Sequence, residues 1–443
     1  MKNNIEKSID KTLQLLKKKK VKDGDVIITG SNVLSLKSEN KELSEFAKSK
    51  THALGVRVIK DNKVGISFTE DLSDWAIETT IDNAINNSKF SKTNEYVRIE
   101  SQEEIHLDET TQSEDVDTEH LIEKTFYLEE EVKRRDERAK TPPYNGVQES
   151  ESHFYLANTH GARCSYKAKN YGCYTSALLN EGDKNSMHFN KRLSKNFNQL
   201  DFDELITEVV DTSKNLLTAN QIKSGEYLVK FSPDLLSSFF SAFSSLISGK
   251  AVMDNVSPWR DKLNEQVMDQ RLTMIDSPDY KEALTKYPFD MEGHRRTDIS
   301  LVEDGILKTF LHNSETSNKL KMKNNNCAFR GPKSPLGVSN SNIIISASST
   351  DNIDNLDYVE ILTAQGLHSG INRTSGEISL GVSGRIIKNG EIVGYFKDST
   401  FSGNFFKMLK EVHSISDKKE ASTDKSFFTP EIIFNELTFA GAI

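Results

Sequence analysis

The sequence has 443 residues, with 57 basic and 66 acidic side chains and a formal net charge of −9. At roughly 100–200 residues per domain, this length predicts two or three domains with enough chain for a hydrophobic core. The acidic excess argues against a nucleic-acid partner, because non-specific nucleic-acid binding depends on a basic surface that releases counterions.

The first elements of the chain mix helices with strands. Residues 5–16 carry apolar side chains at helical spacing, and a strand is predicted at Asp25–Thr29, ended by Gly30. His52–Phe68 is predicted to form two strands around a turn, and a helix begins at Asp71. This pattern is typical of a compact α+β unit.

The middle of the chain begins with a polar segment, Glu103–Glu119, that we expect to be a solvated loop because few of its residues are apolar. A charged helix is predicted at Glu119–Lys140, and alternation in Glu151–Asn190 predicts antiparallel strands with one solvated face. The polar stretch Thr218–Gly225 then marks the boundary between two domains, which we place at residues 1–220 and 221–443.

The second half contains the most apolar stretch, Leu235–Gly249. This stretch is shorter than the roughly 20 residues that a membrane helix needs, and six of its positions are serine. We therefore predict a buried helix rich in serine and phenylalanine. Because the N-terminus also lacks an apolar signal region, we expect a cytoplasmic protein without a membrane partner.

Two hairpins are predicted in the second half, with turns at Asp304-Gly305 and Asn389-Gly390, because such turns require positive φ angles. The polar segment Lys321–Asn342 contains two prolines and is predicted to be a long surface loop. The predicted fold class is therefore α+β. The N-terminal domain mixes helices with antiparallel sheet, and the C-terminal domain is mostly twisted antiparallel sheet with the Ser/Phe helix buried inside.

Local motifs predict no catalytic or metal-binding residue. A hydrolytic zinc site would need a pattern such as His-Glu-x-x-His, and the nearest fragment begins at His120 but has Lys124 where an inverted motif would need histidine. Cys164, Cys173 and Cys327 are too irregularly spaced for a disulfide framework or a zinc knuckle. No nucleotide-binding glycine loop and no complete serine nucleophile motif is present.

Residues 288–296 (PFDMEGHRR) form the densest charge cluster of the sequence. Mixed charges beside a glycine are typical of a capped turn with surface ion pairs, each of which contributes little to stability. We therefore expect Asp290, Glu292, Arg295 and Arg296 to lie at the surface. Their order in the sequence is nevertheless distinctive.

Together with other blocks, this cluster makes the chain resemble the TldD/PmbA family, historically called modulators of DNA gyrase, and more closely its PmbA (TldE) branch. The resemblance covers most of the chain. Its blocks, in chain order, are residues 55–61 (GVRVIKD), 248–252 (SGKAV), 288–293 (PFDMEG), 303–307 (EDGIL), 375–379 (SGEIS), 389–392 (NGEI), 402–404 (SGN) and 430–441.

The resemblance implies a two-subunit peptidase. TldD-type chains of this family carry a zinc motif on a helix early in the C-terminal domain, and PmbA-type chains lack it and pair with a TldD-type chain around a proteolytic chamber. The matching segment here, Leu235–Val252, contains neither histidine nor glutamate. We therefore expect no cofactor in this chain, zinc on a TldD-like partner, and small or unfolded peptides as substrates.

The resemblance also suggests where a peptide chamber would be lined. Strands around Gly366–Ser379 are the candidates, because exposed sheet edges bind extended peptides by strand addition. We predict His368, Asn372, Thr374 and Glu377 as lining residues, with ordinary loop polar residues as the alternative interpretation.

Two other functions stay open at this point. One is an active, homo-oligomeric metallopeptidase whose ligands come from distant positions such as His294, His312, His368 or Cys327. The other is a regulatory protein that binds gyrase, although a charge of −9 over 443 residues would mimic DNA only weakly. A homodimer of this chain is the alternative assembly when a TldD-like partner is absent.

Overall fold

The computed structural model describes residues 2–442, and its strands form two large sheets and one short strand pair. Strands of the first sheet lie between residues 23 and 194, and strands of the second lie between residues 225 and 440. Both sheets are largely antiparallel, and the second half is rich in strands. The predicted α+β fold class is confirmed.

The first sheet has seven strands in the order β3-β2-β1-β5-β6-β4, and β7 pairs with the same edge of β6 as β4 does. All neighbours are antiparallel except β4 and β6. The strands are β1 (Asp23–Glu39), β2 (Glu42–Lys60), β3 (Lys63–Thr69), β4 (Glu104–Asp108), β5 (Asn145–Asn158), β6 (Arg163–Glu181) and β7 (Lys184–Ser194). The helices of this half are α1 (Lys2–Lys18), α2 (Asp74–Phe90), α3 (Thr118–Arg135) and α4 (Phe202–Thr218).

The four helices cover one face of this sheet. Side chains alternate between the faces along β1, whose register with both neighbours is unbroken from Asp25 to Lys37. Val26 and Ile28 belong to the core cluster with α1 and α2, whereas Leu34 and Leu36 belong to the cluster with α3 and α4. Because all four are even-numbered positions, both helix pairs pack on the same face.

The opposite face of the sheet has two parts. At one end the second half packs on it, where Ile27 and Leu156 belong to one apolar cluster with Phe289. Farther along, the strands present small or polar side chains without a charge, and most of these are half-buried or exposed. This uncharged sheet face consists of Ser31, Val33, Ser35, Ala47, Ser49, Thr51, Gln148, Ser150, Ser152, Ala168, Asn170 and Gly172.

The second sheet has ten strands, and five of them close into a ring in which β19 pairs with β17 and β8, and β17, β16, β15 and β8 follow one another. The strands are β8 (Gly225–Phe231), β9 (Leu272–Asp276), β10 (Ile299–Glu303), β11 (Ile306–Leu307), β12 (Ala328–Phe329), β13 (Gly337–Val338), β14 (Ile343–Ala347), β15 (Tyr358–Gln365), β16 (Glu377–Lys388), β17 (Glu391–Asn404), β18 (Val412–Ala421) and β19 (Phe427–Ala440). The pair β12–β13 is separate from this sheet. The helices are α5 (Pro233–Ala242), α6 (Gly249–Met253), α7 (Ser314–Leu320) and α8 (Phe405–Lys410).

Phenylalanine fills the interior of this half. Phe231 contacts Phe239, Phe401 and Phe434 edge-on, with ring centroids 5.2–5.5 Å apart. All four rings are at most 3% exposed. One continuous apolar core therefore joins the strands of the ring to α5.

Both predicted hairpin turns are present. Asp304 and Gly305 have φ angles of 49° and 76°, and Asn389 and Gly390 have 50° and 76°. Two consecutive positive φ angles match the twist of the flanking strands, which explains why Asp-Gly and Asn-Gly occupy these turns. The turn between β2 and β3 uses the same geometry at Asp61 and Asn62.

The segment Lys321–Asn342 is only in part the surface loop that its composition predicted. Cys327 and Arg330 are at most 1% exposed. At Gly55 an added Cβ atom would lie 2.2 Å from the carbonyl oxygen of Pro332, so the backbones of the two halves touch there. Arg330 and Pro332 contact the first half, while the three lysines of the segment are exposed.

Among the helices formed by residues 2–442, none combines the length and the apolar character needed to cross a bilayer.

Candidate functional site

The four predicted chamber residues lie in or next to the connection between β15 and β16, and all four are exposed. The carboxamide oxygen of Asn372 accepts hydrogen bonds from the backbone N–H groups of Thr374 (3.0 Å) and Ser375 (3.2 Å). Asn372 therefore shapes the turn, as asparagine commonly does. The side chains of His368 and Thr374 are exposed to solvent.

Asn404 at the end of β17 holds this loop in place. Its amide nitrogen donates to the carbonyl oxygen of Ser375 and to Oε1 of Glu377, both at 2.9 Å. Its oxygen accepts from the backbone N–H groups of Phe406 and Lys407 at 3.1 Å and caps α8. A single side chain thus connects the predicted loop to the following helix.

Glu377 also lines a cavity of about 720 Å³ that is formed by β8, β17, α8 and β19. The described lining does not include the other three predicted residues. Four carboxylates surround the cavity, with one lysine and one histidine: Glu226, Glu377, Glu411, Glu436, Lys407 and His413. This excess of negative charge favours ligands with cationic groups. The carboxylates are suited to binding such a ligand and are not arranged as an activated nucleophile.

Replacing Asn404 by alanine is expected to destabilise the protein by about 1–2 kcal/mol, the usual cost of losing a helix cap. The loop should also be cleaved faster by a protease at residues 366–377, because both of its hydrogen bonds to Asn404 are lost. Thermal unfolding and limited proteolysis measure the two effects. Asn435→Ala, at an exposed position in the same cavity, is the matched control and should change neither; equal behaviour of the two variants would contradict this role of Asn404.

The Ser/Phe segment, predicted as one helix, consists of α5, a 3₁₀ turn at Ser244–Leu246 and α6. The break allows a close approach to the strand region around His312. An added Cβ at Gly249 would lie 2.5 Å from both Nδ1 of His312 and the carbonyl oxygen of Leu311. The backbone therefore passes a buried histidine at Gly249, where α6 begins.

Aromatic rings fill the space beside this segment. Phe243 stacks on Phe405 with centroids 4.6 Å apart and planes 10° apart, and Phe239 and Phe240 contact the same ring. Phe239, Phe243 and Phe405 are at most 1% exposed. None of these side chains carries a donor atom for a metal, so the residues present do not fit a zinc ion.

The serines of α5 face a different environment. Ser237 and Ser238 line a cleft of about 950 Å³ between the two halves, opposite residues 188–191 of β7 and residues of α4. Glu360 and Arg385 lie on the same wall. The cleft is polar on both sides and mixed in charge.

The active-enzyme alternative names four possible metal ligands, and the structure places them in three different environments. The backbone N–H of Cys327 donates to the carbonyl oxygen of His312 at 2.8 Å, and both residues are fully buried. His294 lies 3.7 Å from Glu103, and His368 is on the exposed loop. Within residues 2–442, no three His, Cys, Asp or Glu side chains are arranged to hold a metal ion.

Burial keeps His312 and Cys327 in their neutral forms. It lowers the pKa of His312 to about 4 and raises the pKa of the Cys327 thiol to about 12. Nδ1 of His312 lies 3.2 Å from the Thr316 hydroxyl, and Nε2 has no partner among the described residues. A neutral thiol is a poor nucleophile and a poor metal ligand.

The charge cluster at residues 288–296 is buried, contrary to the prediction of surface ion pairs. Asp290, Glu292 and Arg296 are at most 7% exposed, and only Arg295 is exposed. Arg296 donates to Asp276 at 2.7 Å. The carboxylate of Asp290 accepts from three backbone N–H groups, so it holds the turn that carries the motif.

Glu292 belongs to a charged group that joins the two halves, which we call the buried hub: Asp25, Arg57, Glu292 and Arg330. Nη2 of Arg57 lies 2.5 Å from Asp25, and Nη1 lies 3.8 Å from Glu292. Arg330 also contacts Asp25, and all four side chains are at most 2% exposed. One carboxylate from the first half thus serves two arginines, one from each half.

Burial, with the neighbouring Asp290 carboxylate, raises the pKa of Glu292 to about 7. Its oxygens accept hydrogen bonds from the backbone N–H of Ser314 (2.9 Å) and from the Ser314 hydroxyl. The sequence offered a signal for Glu292 in its dense charge motif, but none for Asp25 or Arg330.

Comparison with protein families finds three matching domains. Residues 24–88 match the PmbA/TldA metallopeptidase domain 1, residues 112–217 match the central domain, and residues 224–441 match the C-terminal domain. Together these segments cover most of the chain.

Individual relatives match over nearly their whole length. The metalloprotease PmbA homolog of Haemophilus influenzae is 24% identical over 433 residues, covering 94% of this chain and 92% of the relative. The metalloprotease PmbA of Escherichia coli O157:H7 is 21% identical and covers 99% and 96%.

Solved structures share the fold. TldE from Thermococcus kodakarensis has a TM-score of 0.82 with 17% identity, covering 99% of this chain and 100% of that one. A Thermotoga maritima protein, described as a proposed modulator of a DNA gyrase, has a TM-score of 0.84 with 24% identity and covers 98% and 100%.

Proposed function

The chain belongs to the PmbA/TldD metallopeptidase family, and from this premise we propose that it is a non-catalytic subunit that pairs with a zinc-bearing, TldD-like relative. In this role it completes a chamber in which the partner hydrolyses small or unfolded peptides. The observation that carries the proposal is the aromatic packing of the Ser/Phe segment. Phe243 and Phe405 occupy, as a stacked pair, the neighbourhood of the segment that matches the zinc helix of TldD-type chains.

The chemistry of this segment supports the proposal. Hydrolysis by zinc requires ligands that hold the metal and a metal-bound water that attacks the peptide. Phenylalanine and serine supply no such ligand set, and the buried Phe239, Phe243 and Phe405 leave the region apolar. We derive no metal-dependent step for this chain and assign none of its residues as catalytic.

Three surfaces are suited to a chamber wall. The uncharged sheet face lacks both helix cover and charge, so it would let an extended peptide pass without binding a particular side chain. The cleft between the two halves is lined by serines of α5. The cavity beside Glu377 is lined by carboxylates that attract basic groups. His368, Asn372 and Thr374 belong to this proposal as residues of the loop next to that cavity.

The decisive experiment measures zinc and peptide hydrolysis for the chain alone and for its complex with a TldD-like partner. We expect the chain alone to bind no stoichiometric zinc and to leave unfolded peptides intact, whereas the complex contains zinc and cleaves them. A complex whose partner lacks its zinc-binding histidines is the matched control and should be inactive.

The active-enzyme alternative predicts different results. It requires stoichiometric zinc in the isolated chain, cleavage that a chelator abolishes, and loss of metal in His312→Ala or Cys327→Ala variants. Any such result would contradict the proposed role of the chain. Unchanged metal content in these variants would dismiss the alternative.

A further inference from the structure

A third cavity lies in the first half, between α1 and the edge of the first sheet. Its volume is about 450 Å³, which is in the range of small-molecule sites. Side chains of α1, β4, β5 and β6 form its walls. Ile9, Ala157 and the ring of Tyr155 supply an apolar side to the cavity.

Tyr155 provides an unused polar group in this cavity. The residue is 6% exposed, and its ring packs in the core cluster with α1 and α2. Its hydroxyl has no hydrogen-bond partner among the described residues and is accessible to solvent. The hydroxyl therefore opens to the cavity, where it can exchange water for a hydrogen bond to a ligand.

The charged groups around the cavity leave a negative excess. Four carboxylates and two basic side chains line it, in addition to one histidine: Glu6, Asp10, Glu104, Asp108, Arg163, Lys167 and His106. Both basic groups are already paired, because Arg163 lies 2.6 Å from Asp10 and Lys167 lies 3.2 Å from Asp108. Glu6 has no ion pair with the described residues, so a carboxylate is left for a cationic ligand.

We propose that this cavity, named here the Tyr155 pocket, binds a small primary amine with an apolar side chain, the chemistry of the N-terminal residue of a peptide. The ammonium group would pair with Glu6 and donate to the Tyr155 hydroxyl, and the apolar part would pack on Ile9 and Ala157. A free carboxylate on the ligand would face the excess of acidic groups, so amides and esters are favoured over free amino acids. The inference rests on this cavity alone and does not depend on the proposed pairing with a zinc-bearing relative.

Leucinamide and N-acetyl-leucinamide form a matched pair of probes, because they differ only in the ammonium group. We expect leucinamide to bind the full-length chain, with acetylation weakening binding by tenfold or more, the factor of a lost charge-assisted hydrogen bond. Titration calorimetry gives the affinities, and amide chemical shifts locate the site. Tyr155→Phe keeps the ring and removes the hydroxyl, and should weaken leucinamide roughly fivefold to tenfold.

Two further variants complete the test. Glu6→Gln should weaken binding by a similar factor, whereas Glu391→Gln, at an exposed position outside both acidic cavities, should leave it unchanged. Equal binding of the two probes, or unchanged affinity in both Tyr155→Phe and Glu6→Gln, would overturn the proposal. Failure to bind leucinamide at all would overturn it as well, while the zinc and hydrolysis results for the partner complex would be unaffected.

Discussion

The Asp25→Asn variant is expected to unfold with a free energy lower than that of the wild type by about 3–5 kcal/mol, the range found when one partner of a buried ion pair is removed. Arg57 and Arg330 both donate to Asp25, and both are at most 1% exposed. Asparagine keeps the size of the side chain but leaves two buried guanidinium groups with Glu292 as the only other carboxyl group of the hub. Denaturant unfolding, followed by fluorescence and by circular dichroism, measures the loss.

Asp23→Asn is the matched control on the same strand. Asp23 pairs with His160 at 2.8 Å, but both side chains are more than a quarter exposed, so the pair contributes at most about 1 kcal/mol. A loss in Asp25→Asn no greater than in Asp23→Asn would contradict the role of the buried hub. Since Arg330 comes from the second half, the variant should also expose the contact between the halves to protease before global unfolding.

The hub shows which parts of the structure can be predicted from sequence. Hairpins at Asp304-Gly305 and Asn389-Gly390 are local, because the turn chemistry and the flanking strands lie within a few residues. Asp25 and Arg57 are 32 residues apart, and Asp25 and Arg330 are 305 residues apart. No pattern in a single sequence pairs residues at such distances, so the sequence predicts Glu292 at the surface and gives Asp25 and Arg57 no charged partner.

Gly30 shows a similar limit for the first sheet. The sequence predicts that it ends the first strand, but β1 continues to Glu39. Glycine stands at this position because of a tertiary contact, since an added Cβ at Gly30 would lie 2.9 Å from the ring of His153 on the neighbouring strand. A glycine that accommodates a cross-strand ring looks the same in the sequence as a glycine that ends a strand.

The candidate site divides in the same way. The sequence predicts strands around Gly366–Ser379, but residues 366–376 form the connection between β15 and β16. The absence of zinc ligands in Leu235–Val252 is a property of the residues themselves. The attachment of this loop to Asn404 and the stacking of Phe243 on Phe405 depend on contacts between distant elements. These contacts and the Tyr155 pocket can be identified only in the folded structure.

A second large effect is expected in the pH dependence of stability, to which Glu292 contributes together with Asp290, whose pKa is also raised by burial. The pKa of this carboxyl is raised from 4.5 to about 7, mainly by burial. The folded state therefore binds the proton more tightly than the unfolded state, so the stabilisation is complete below pH 4.5 and is lost as the pH rises through 7. At roughly 1.4 kcal/mol for each pKa unit, the loss is of the order of 3 kcal/mol.

Glu292→Gln isolates this contribution, because glutamine resembles the protonated acid and can still bond to Ser314. We expect the stability of the variant relative to the wild type to rise by about 3 kcal/mol between pH 4.5 and pH values above 7. Comparing the two proteins also cancels His312, whose pKa is lowered to about 4 and whose contribution has the opposite slope over pH 4–6.5. Denaturant unfolding at several pH values gives both curves, and parallel curves for variant and wild type would show that Glu292 does not titrate in this range.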